Sequence, residues 1–187
     1  MKWKYLYVLN VKGDVTMYLA LVIIVWILFA YRFIDWSQWK KQYPTVLFFI
    51  AINLTYNMLY FNHTLWAFRG ITAEWLNHSI INLAFTFFIT PMALIIYLQR
   101  YPDNKKQGYI YSAIWIGFFT IIQSLFAHKG MYVYDNGWNS WHNIWLNIAL
   151  FAVLRIHYRR PAVAMLISLP AAVVFYLFFP FPLDSLK

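Results

Sequence analysis

Cysteine is absent from this 187-residue chain, and charged residues make up only 11% of it. The absence of cysteine excludes a disulfide framework, a thiolate nucleophile and a zinc ribbon. The shortage of charge, set against 63% hydrophobic residues, leaves too little polar surface to cover a water-soluble domain of this length. The composition therefore predicts an integral membrane protein.

Acidic residues are especially few, with six Asp and Glu against 15 Lys and Arg. None of them falls deep inside an apolar stretch, so the sequence gives little support to a membrane proton relay or a buried carboxylate ion site. The net charge of +9 does not indicate nucleic-acid binding, because the basic residues form short clusters between apolar stretches. We predict no nucleic-acid partner, and we interpret the clusters as signals of membrane topology.

Long apolar stretches recur along the whole chain, each near the ~20 residues that a helix needs to cross a bilayer. We predict one all-α integral membrane domain over residues 1–187, built as a bundle of about six transmembrane helices, with five as an alternative. The first stretch is interpreted as a retained helix rather than a secretory signal, because it is long enough to span and lacks a small-residue cleavage site. The predicted spans are residues 15–33, 44–61, 78–98, 109–127, 141–156 and 161–181.

Polar side chains inside the predicted spans recur at helical spacing. Because lipid offers an amide no hydrogen-bond partner, we expect each polar stripe to face another helix, where one interhelical hydrogen bond contributes roughly 0.6 to 2 kcal/mol. A substrate path is the alternative interpretation. Pro91 interrupts the third span and is expected to kink it. The residues predicted to pack between helices are Asn53, Asn57, Asn82, Thr86, Gln123, Asn143 and Asn147.

Basic residues favour one side of the predicted bundle. Six spans put the first, third and fifth loops on the same side, and the positive-inside rule predicts that side to be cytoplasmic. The N-terminal Lys2, Lys4 and Lys12 argue against this orientation, since a basic N-terminus normally stays inside. The basic residues of the odd-numbered loops are Arg32, Lys40 and Lys41, then Arg100, Lys105 and Lys106, then Arg155, Arg159 and Arg160.

The second and fourth loops are separated by two crossings, so they share a membrane face in either orientation. With the adjoining helix ends they hold four of the five histidines. This face is either a site for a metal, a polar head group, a small ligand or a partner segment, or a set of interfacial anchors. Metal binding is the weaker interpretation, because no H-E-x-x-H pair places two imidazoles on one helix face. The residues of this candidate site, the His/Trp face, are His63, Trp66, Glu74, His78, His128, Asp135, Trp138 and His142.

The segment 134–138 is typical of a tight turn within the fourth loop. Asp135 and Asn136 can hydrogen-bond to their own backbone, and Gly137 can adopt a positive φ before the next helix. A compact loop of this kind suits recognition better than a solvated linker does. We therefore expect a ligand or partner to contact the fourth loop first.

Four phrases of the sequence are informative in combination. They are residues 36–49 (WSQWKKQYPTVLFF), 76–78 (LNH), 134–139 (YDNGWN) and 154–161 (LRIHYRRP). Together they resemble an uncharacterised family of small multi-pass membrane proteins from endospore-forming Gram-positive bacteria, over roughly residues 36–161. The resemblance implies a bacterial cytoplasmic-membrane location and a link to sporulation, and it supplies no reaction, substrate or cofactor.

The favoured functional hypothesis is non-enzymatic binding of a partner protein, a lipid or a small ligand through the His/Trp face. Besides the lipid bilayer, the partners left open are another membrane protein and a second copy of the chain. One alternative is a membrane-embedded enzyme acting on a lipid or envelope precursor, with histidines supplying base or metal-ligand chemistry. Another is a small transporter or channel, which would need a continuous polar cavity. We predict no catalytic residue, no metal site and no cofactor.

Overall fold

The computed structural model describes residues 20–69 and 77–182, and these residues form six helices and one short ribbon of two strands. A 3-10 turn over Trp39–Lys41 precedes the second helix. The part of the first predicted span before residue 20 lies outside the described residues. In chain order the helices are α1 (Ala20–Phe33), α2 (Tyr43–Leu59), α3 (His78–Gln99), α4 (Lys105–His128), α5 (Ser140–Arg159) and α6 (Pro161–Phe178).

Each predicted span coincides with one helix, so the helical architecture was predicted correctly. Three helices, α3, α4 and α6, are long and apolar enough to cross a membrane, with 22, 24 and 18 residues. α1 and α2 are apolar but shorter within the described residues. α5 has 20 residues, yet Asn143, Asn147 and Arg155 make it less apolar. Length and composition therefore show three helices among the described residues that could cross a membrane, and six crossings stay a prediction.

Local sequence signals explain where the helices begin. The Asn104 side chain accepts two backbone N–H groups of the first turn of α4. At the start of α5 the Asn139 side chain accepts a backbone N–H, while His142 Nδ1 accepts the N–H of Asn139 at 3.0 Å. Such caps satisfy N–H groups that no preceding carbonyl can reach. Pro44 and Pro161 lie in the first turns of α2 and α6, where a missing N–H costs nothing.

α3 is irregular in its middle. The segments His78–Ala84 and Thr90–Gln99 are α-helical, and Phe85–Ile89 between them forms a π-helical turn. Pro91 follows directly, and because it lacks an N–H it cannot complete the regular hydrogen-bond ladder of the preceding turn. The irregularity predicted at Pro91 therefore takes the form of a π-helical segment one turn earlier.

A ribbon that the sequence did not predict joins the second and fourth loops. Strand β1 (Trp66–Phe68) pairs antiparallel with β2 (Tyr132–Tyr134), with Trp66 opposite Tyr134 and Phe68 opposite Tyr132. Three residues are too few to produce a readable strand periodicity. The ribbon is a small addition to the helical architecture that the sequence predicts, and it supplies the contact through which the two loops meet.

Hydrophobic packing is concentrated around the second half of α3. Residues 93–98 are all buried, and they belong to a cluster that also contains Trp26, Phe49 and Phe151 from α1, α2 and α5. A smaller cluster at the other end contains Tyr60, Leu65, Trp138 and Phe181. α4 and α6 have few fully buried side chains, and each also carries exposed apolar side chains, such as Ile114 and Ile121 on α4 and Leu166 and Leu169 on α6. Those two helices therefore present the faces that suit lipid.

Hydrogen bonds connect helix ends at one end of the bundle. After α1, the backbone N–H of Asp35 donates to Gln99 Oε1 at 2.8 Å, and Gln99 Nε2 donates to the Asp35 carbonyl at 3.0 Å. The Arg100 side chain donates to the Phe33 carbonyl through two nitrogens, at 3.1 and 3.2 Å. The C-terminal ends of α1 and α3 therefore lie side by side. We call this end, which carries the odd-numbered loops, the basic end.

The remaining helices alternate in the same way. The amide of Gln42, just before α2, lies 3.3 Å from the Tyr158 hydroxyl near the end of α5. At the far end of α2, the Tyr60 hydroxyl donates to the Phe179 carbonyl beyond α6 at 2.6 Å. Because Gln42 and Tyr60 flank opposite ends of α2, these contacts lie at opposite ends of the bundle. We call the end at which Tyr60 contacts Phe179 the ribbon end.

Candidate functional site

The centre of the His/Trp face is closed by aromatic contacts. Trp66 stacks on Tyr56, with 4.4 Å between ring centroids, and its ring centroid lies 5.0 Å from that of Trp138. The Trp138 ring centroid is also 5.0 Å from that of His142. Trp138 is buried and donates from Nε1 to Asn143 Oδ1 at 2.8 Å. The structure thus brings Trp66, Trp138 and His142 together as packed side chains.

Two other members of the face bind neighbouring backbone. His78 Nδ1 accepts the N–H of Phe68 at 3.0 Å, which ties the start of α3 to strand β1. The backbone N–H of Asp135 donates to the Leu65 carbonyl at 2.9 Å. These contacts extend the pairing of the ribbon, so both residues have roles in holding the second and fourth loops together.

The predicted turn in the fourth loop is present. Asn136 and Gly137 have φ values of 49° and 82°, and the Trp138 N–H donates to the Asp135 carbonyl at 2.9 Å. Asn136 Nδ2 also donates to the Thr64 carbonyl at 2.8 Å, across to the second loop. The positive φ suits asparagine and glycine, which tolerate the left-handed region. The turn therefore fastens one loop to the other.

The two other described members of the face, His63 and His128, form no hydrogen bond or ring contact with Trp66, Trp138 or His142. His128 is the exposed last residue of α4, and His63 is half-buried in the second loop. Glu74 lies outside the described residues. Within residues 20–69 and 77–182, no three His, Asp or Glu side chains are grouped as a metal site would require.

Polar side chains between α2 and α3 contact one another. Asn53 Nδ2 donates to Thr86 Oγ1 at 2.6 Å, and Asn82 Nδ2 donates to Asn57 Oδ1. The Thr86 hydroxyl, which is buried, donates to the Asn82 carbonyl at 2.7 Å. The structure therefore places these four residues in one interhelical hydrogen-bond network beside the π-helical turn.

A second polar group links α5 to its neighbours. Asn147 Nδ2 donates to Gln123 Oε1 at 2.9 Å and to Thr120 Oγ1 at 3.0 Å, both on α4. Asn143 Nδ2 donates to the Tyr134 hydroxyl at 2.7 Å. Since Asn143 and Asn147 are buried, the polar face of α5 is turned into the protein.

A large open cleft lies at the basic end. It has a volume of about 800 Å³ and opens between α4, α5 and the start of α6. This volume falls within the range of about 300 to 1,000 Å³ typical of small-molecule sites. Apolar side chains from all three helices line it, together with one carboxylate, that of Asp103. The basic side chains in its lining are Lys105, Arg155, Arg159 and Arg160.

Arg155 is held against aromatic rings. Its Cζ lies 3.7 Å from the centroid of the Tyr101 ring and 5.7 Å from that of Tyr158. The Tyr101 ring in turn packs edge-on against Tyr97 and Tyr111, at 5.5 and 5.8 Å between centroids. A guanidinium over an aromatic face gains electrostatic attraction from the ring quadrupole. The position of Arg155 is therefore set without a carboxylate.

Gly108 makes the position of Tyr101 possible. A Cβ atom at Gly108 would lie 2.7 Å from Cε1 and 2.8 Å from the hydroxyl oxygen of Tyr101, which is too close for any side chain. Glycine in the first turns of α4 therefore lets the tyrosine ring lie directly against the helix backbone. The Tyr101 ring is thus fixed between α4 and the Arg155 guanidinium.

Among the described residues, no ion pair joins a cation of the cleft to a carboxylate, including that of Asp103 in the same lining. In the part of the chain that the structure describes, the side chains of Lys105, Arg159 and Arg160 form neither an ion pair nor a hydrogen bond. Asp35, the nearby loop carboxylate, accepts hydrogen bonds instead from the Ser37 hydroxyl at 2.6 Å and from the Ser37 N–H at 2.9 Å. These bonds hold the pKa of Asp35 below its ordinary value. The carboxylate therefore stays charged but is engaged within its own loop.

In the sequence, the basic residues of the cleft are interpreted only as topology signals. The sequence did contain a signal for this site. The third and fifth loops are separated by two crossings, so they share a membrane face, as the second and fourth loops do. Tyr97 and Tyr101 accompany the third loop, and the pair Arg155 and Arg159 has the four-residue spacing of one helix face. The contact between Tyr101 and Arg155 depends on the packing of α4 against α5, which no local pattern encodes.

The lining of the cleft combines basic and apolar side chains. Positive charge lies beside apolar walls, an arrangement that suits a ligand with an anionic and an apolar part. The lining contains no histidine, and its one carboxylate has no second carboxylate to act with as a paired acid and base. No protein-family model matches the sequence, and no curated protein or solved structure is significantly similar to it.

Proposed function

We propose that this chain is a six-span membrane protein that binds an amphiphilic ligand, a lipid or a lipid-like small molecule, in the basic-end cleft without transforming it. The observation that carries the proposal is the cleft itself, in which apolar walls adjoin four basic side chains. Binding of a lipid or small ligand is retained from the sequence analysis. Its site moves away from the His/Trp face, because Trp66, Trp138 and His142 there are committed to one another.

Alternating helix directions support six crossings. The ends of α1, α3 and α5 and the start of α2 meet at the basic end through the contacts of Asp35, Gln99, Gln42 and Tyr158. An up-and-down bundle of this kind satisfies its backbone within each helix, as a bilayer requires. The polar residues of α5 bond inside the protein, which makes its lower hydropathy compatible with crossing. The 17 residues of α2 can be accommodated by local thinning of the bilayer.

The basic end faces the cytoplasm in this proposal. Each of its three loops carries three basic residues, and such residues are retained on the cytoplasmic side. The family resemblance supports a bacterial cytoplasmic membrane as the location. The link to sporulation rests on that resemblance alone and stays a prediction.

The number of crossings can be tested with introduced cysteines, because the chain has none of its own. Ser37 and Ser140 are exposed residues near opposite ends of the bundle, and Ser→Cys changes little in size. With six crossings the two positions lie on opposite sides of the membrane. With α3, α4 and α6 as the only spans they lie on the same side. We expect a membrane-impermeant maleimide to label Ser140→Cys and not Ser37→Cys in intact cells, and equal labelling would contradict six crossings.

Ligand binding in the cleft can be tested by filling it. Ala113 lines the cleft from α4, whereas Ala171 is an exposed residue of α6 outside the cleft. We expect Ala113→Trp to reduce retention of added phospholipid by the purified protein about tenfold in native mass spectrometry, because the indole occupies the ligand volume. Ala171→Trp is the matched control and should retain phospholipid as the unchanged protein does. Equal retention by both variants would contradict the cleft as the site.

A further inference from the structure

We infer that the ligand of the basic-end cleft is a phospholipid with an anionic head group, taken from the leaflet at the basic end, with Arg155, Arg159 and Arg160 recognising its phosphate. This inference rests on the proposed function and names the chemical class of its ligand. It uses three features of the cleft that a site for a neutral amphiphile would not need.

The first feature is uncompensated charge. The lining has four basic side chains and one acidic side chain, Asp103. Because Arg159, Arg160 and Lys105 make no ion pair within the described residues, an anion gains from their charge without first breaking an internal salt bridge. Basic pockets between transmembrane helices on the cytoplasmic side are suited to anionic head groups. The charge of the cleft therefore selects a negative ligand.

The second feature is that Arg155 is held by an aromatic ring while its N–H donors have no partner among the described residues. The side chain is half-buried, and contact of its guanidinium with the Tyr101 ring leaves its N–H donors without a hydrogen-bond partner in the described chain. A guanidinium presents five donors in a fixed fork that matches two oxygens of a phosphate. Since Tyr101 already limits the motion of Arg155, binding a phosphate requires little further ordering. A phosphate is therefore a better match than a single carboxylate oxygen or a neutral hydroxyl.

The third feature is the spacing along α5. Arg155 and Arg159 are four residues apart, so they lie on one face, with Arg155 half-buried and Arg159 exposed. Arg160 follows at the start of α6, and Lys105 begins α4 on the other side of the cleft. Positive charge thus extends from within the cleft to its outer edge. A head group can approach Arg159 and Arg160 first and then reach Arg155.

The apolar part of the cleft distinguishes a lipid from a soluble phosphate. Ile116, Ile148, Phe151 and Val163 line it beside the charges. The outer faces of α4 and α6, which flank the cleft, are apolar and unburied. An acyl chain can therefore pass from the bilayer into the cleft while its head group stays at the arginines. A free phosphate would use the charges but leave the apolar lining in water.

The experiment compares lipids of different charge on the purified full chain. Native mass spectrometry measures retention of phosphatidylglycerol and of phosphatidylcholine with matched acyl chains, and glycerol phosphate is the soluble competitor. We expect a preference for phosphatidylglycerol of about tenfold, which the Arg159→Gln/Arg160→Gln double variant reduces to near equality. The control is Lys40→Gln/Lys106→Gln, which removes the same charge from exposed residues outside the cleft. Circular dichroism checks that both double variants keep their helical content.

The outcomes separate this inference from the proposed function. Equal retention of both lipids, lost in Ala113→Trp but unchanged in Arg159→Gln/Arg160→Gln, would overturn the anionic ligand and leave cleft binding intact. Retention of neither lipid would overturn both. Displacement of phosphatidylglycerol by equimolar glycerol phosphate would overturn the lipid as the source of the phosphate. A preference lost equally in Lys40→Gln/Lys106→Gln would reduce recognition to general surface charge.

Discussion

The two ends of the bundle differ in how their polar and aromatic side chains are packed. At the ribbon end, Leu65 and Trp138 are 0% and 6% exposed, and paired strands tie two loops over them. At the basic end, helices separate enough to leave a cleft of about 800 Å³. The ribbon end is rich in residue types that often form sites, yet Trp66, Trp138 and His142 there pack against one another. At the basic end, the side chains of Lys105, Arg159 and Arg160 form no ion pair or hydrogen bond within the described residues.

The proposed function rests on this difference, because it follows the groups that have no partner rather than the residue types that often form sites. His78 and His142 each accept a backbone N–H, and Asn143 accepts from Trp138, so these groups are already satisfied. In contrast, Arg159 and Arg160 have no side-chain partner in the described chain. A charged group without a partner gains most from an external ligand, because nothing inside the protein has to be released.

The largest expected effect on stability comes from removing a buried aromatic side chain at the ribbon end. Trp138→Ala removes a buried indole and the 2.8 Å hydrogen bond to Asn143. We expect a loss of about 3 to 5 kcal/mol in the free energy of unfolding, the usual range for truncating a buried Trp. Thermal or denaturant unfolding in detergent measures this loss.

Trp141 provides the matched control at the same end, since it is 71% exposed. Trp141→Ala should change the free energy of unfolding by about 0.5 kcal/mol or less. Similar losses in the two variants would mean that the ribbon end is not held by its buried aromatics, and the contrast between the ends would fail.

A smaller loss is expected from the histidine that the sequence analysis left outside the candidate face. His157 is buried near the basic end, stacks on Phe48 with 4.1 Å between ring centroids, and has Nδ1 3.0 Å from Thr45 Oγ1. His157→Ala removes the stacked ring and leaves the Thr45 hydroxyl without that partner. We expect a cost of about 2 to 3 kcal/mol in the free energy of unfolding.

His128→Ala is the control for that prediction. His128 belongs to the predicted face but is exposed at the end of α4, so its removal should leave the unfolding midpoint nearly unchanged. The same denaturant titration serves both variants. If His128→Ala destabilised the protein as much as His157→Ala, burial would not explain which histidines contribute to stability.

Much of the fold could be predicted because hydropathy is local. A helix-length apolar stretch identifies itself from its own residues, and the same holds for Asn53 and Asn57 at helical spacing. The polar stripes could be placed on facing helices because amides in lipid need partners. The ribbon could not be predicted, since Trp66–Phe68 has too few residues to show alternation. Its pairing with Tyr132–Tyr134 depends on contacts between distant parts of the chain.

The candidate site was less predictable than the fold for the same physical reason. The sequence indicates that Arg155 and Arg159 share a face and that the third loop lies on the same side. It does not indicate that α4, α5 and the start of α6 line a cleft there, because that depends on how several helices pack together. Nor does it reveal which charges remain unpaired, since Asp35 could have served the arginines but instead accepts from Ser37.

The smallest expected effect tests whether the aromatic support of Arg155 contributes to binding at the open end. Gly108→Ala places a Cβ 2.7 Å from Tyr101 Cε1, so the ring has to move, and the guanidinium 3.7 Å from its centroid loses that support. We expect phosphatidylglycerol retention to fall roughly two- to fivefold, a loss of up to about 1 kcal/mol, the range of an exposed cation–π contact. Gly117→Ala on the same helix meets nothing within 4 Å and should only stabilise α4, by up to about 1 kcal/mol. If the two variants retained phosphatidylglycerol equally, Tyr101 would be a packing residue only, and the basic end would bind through charge without a preset arginine.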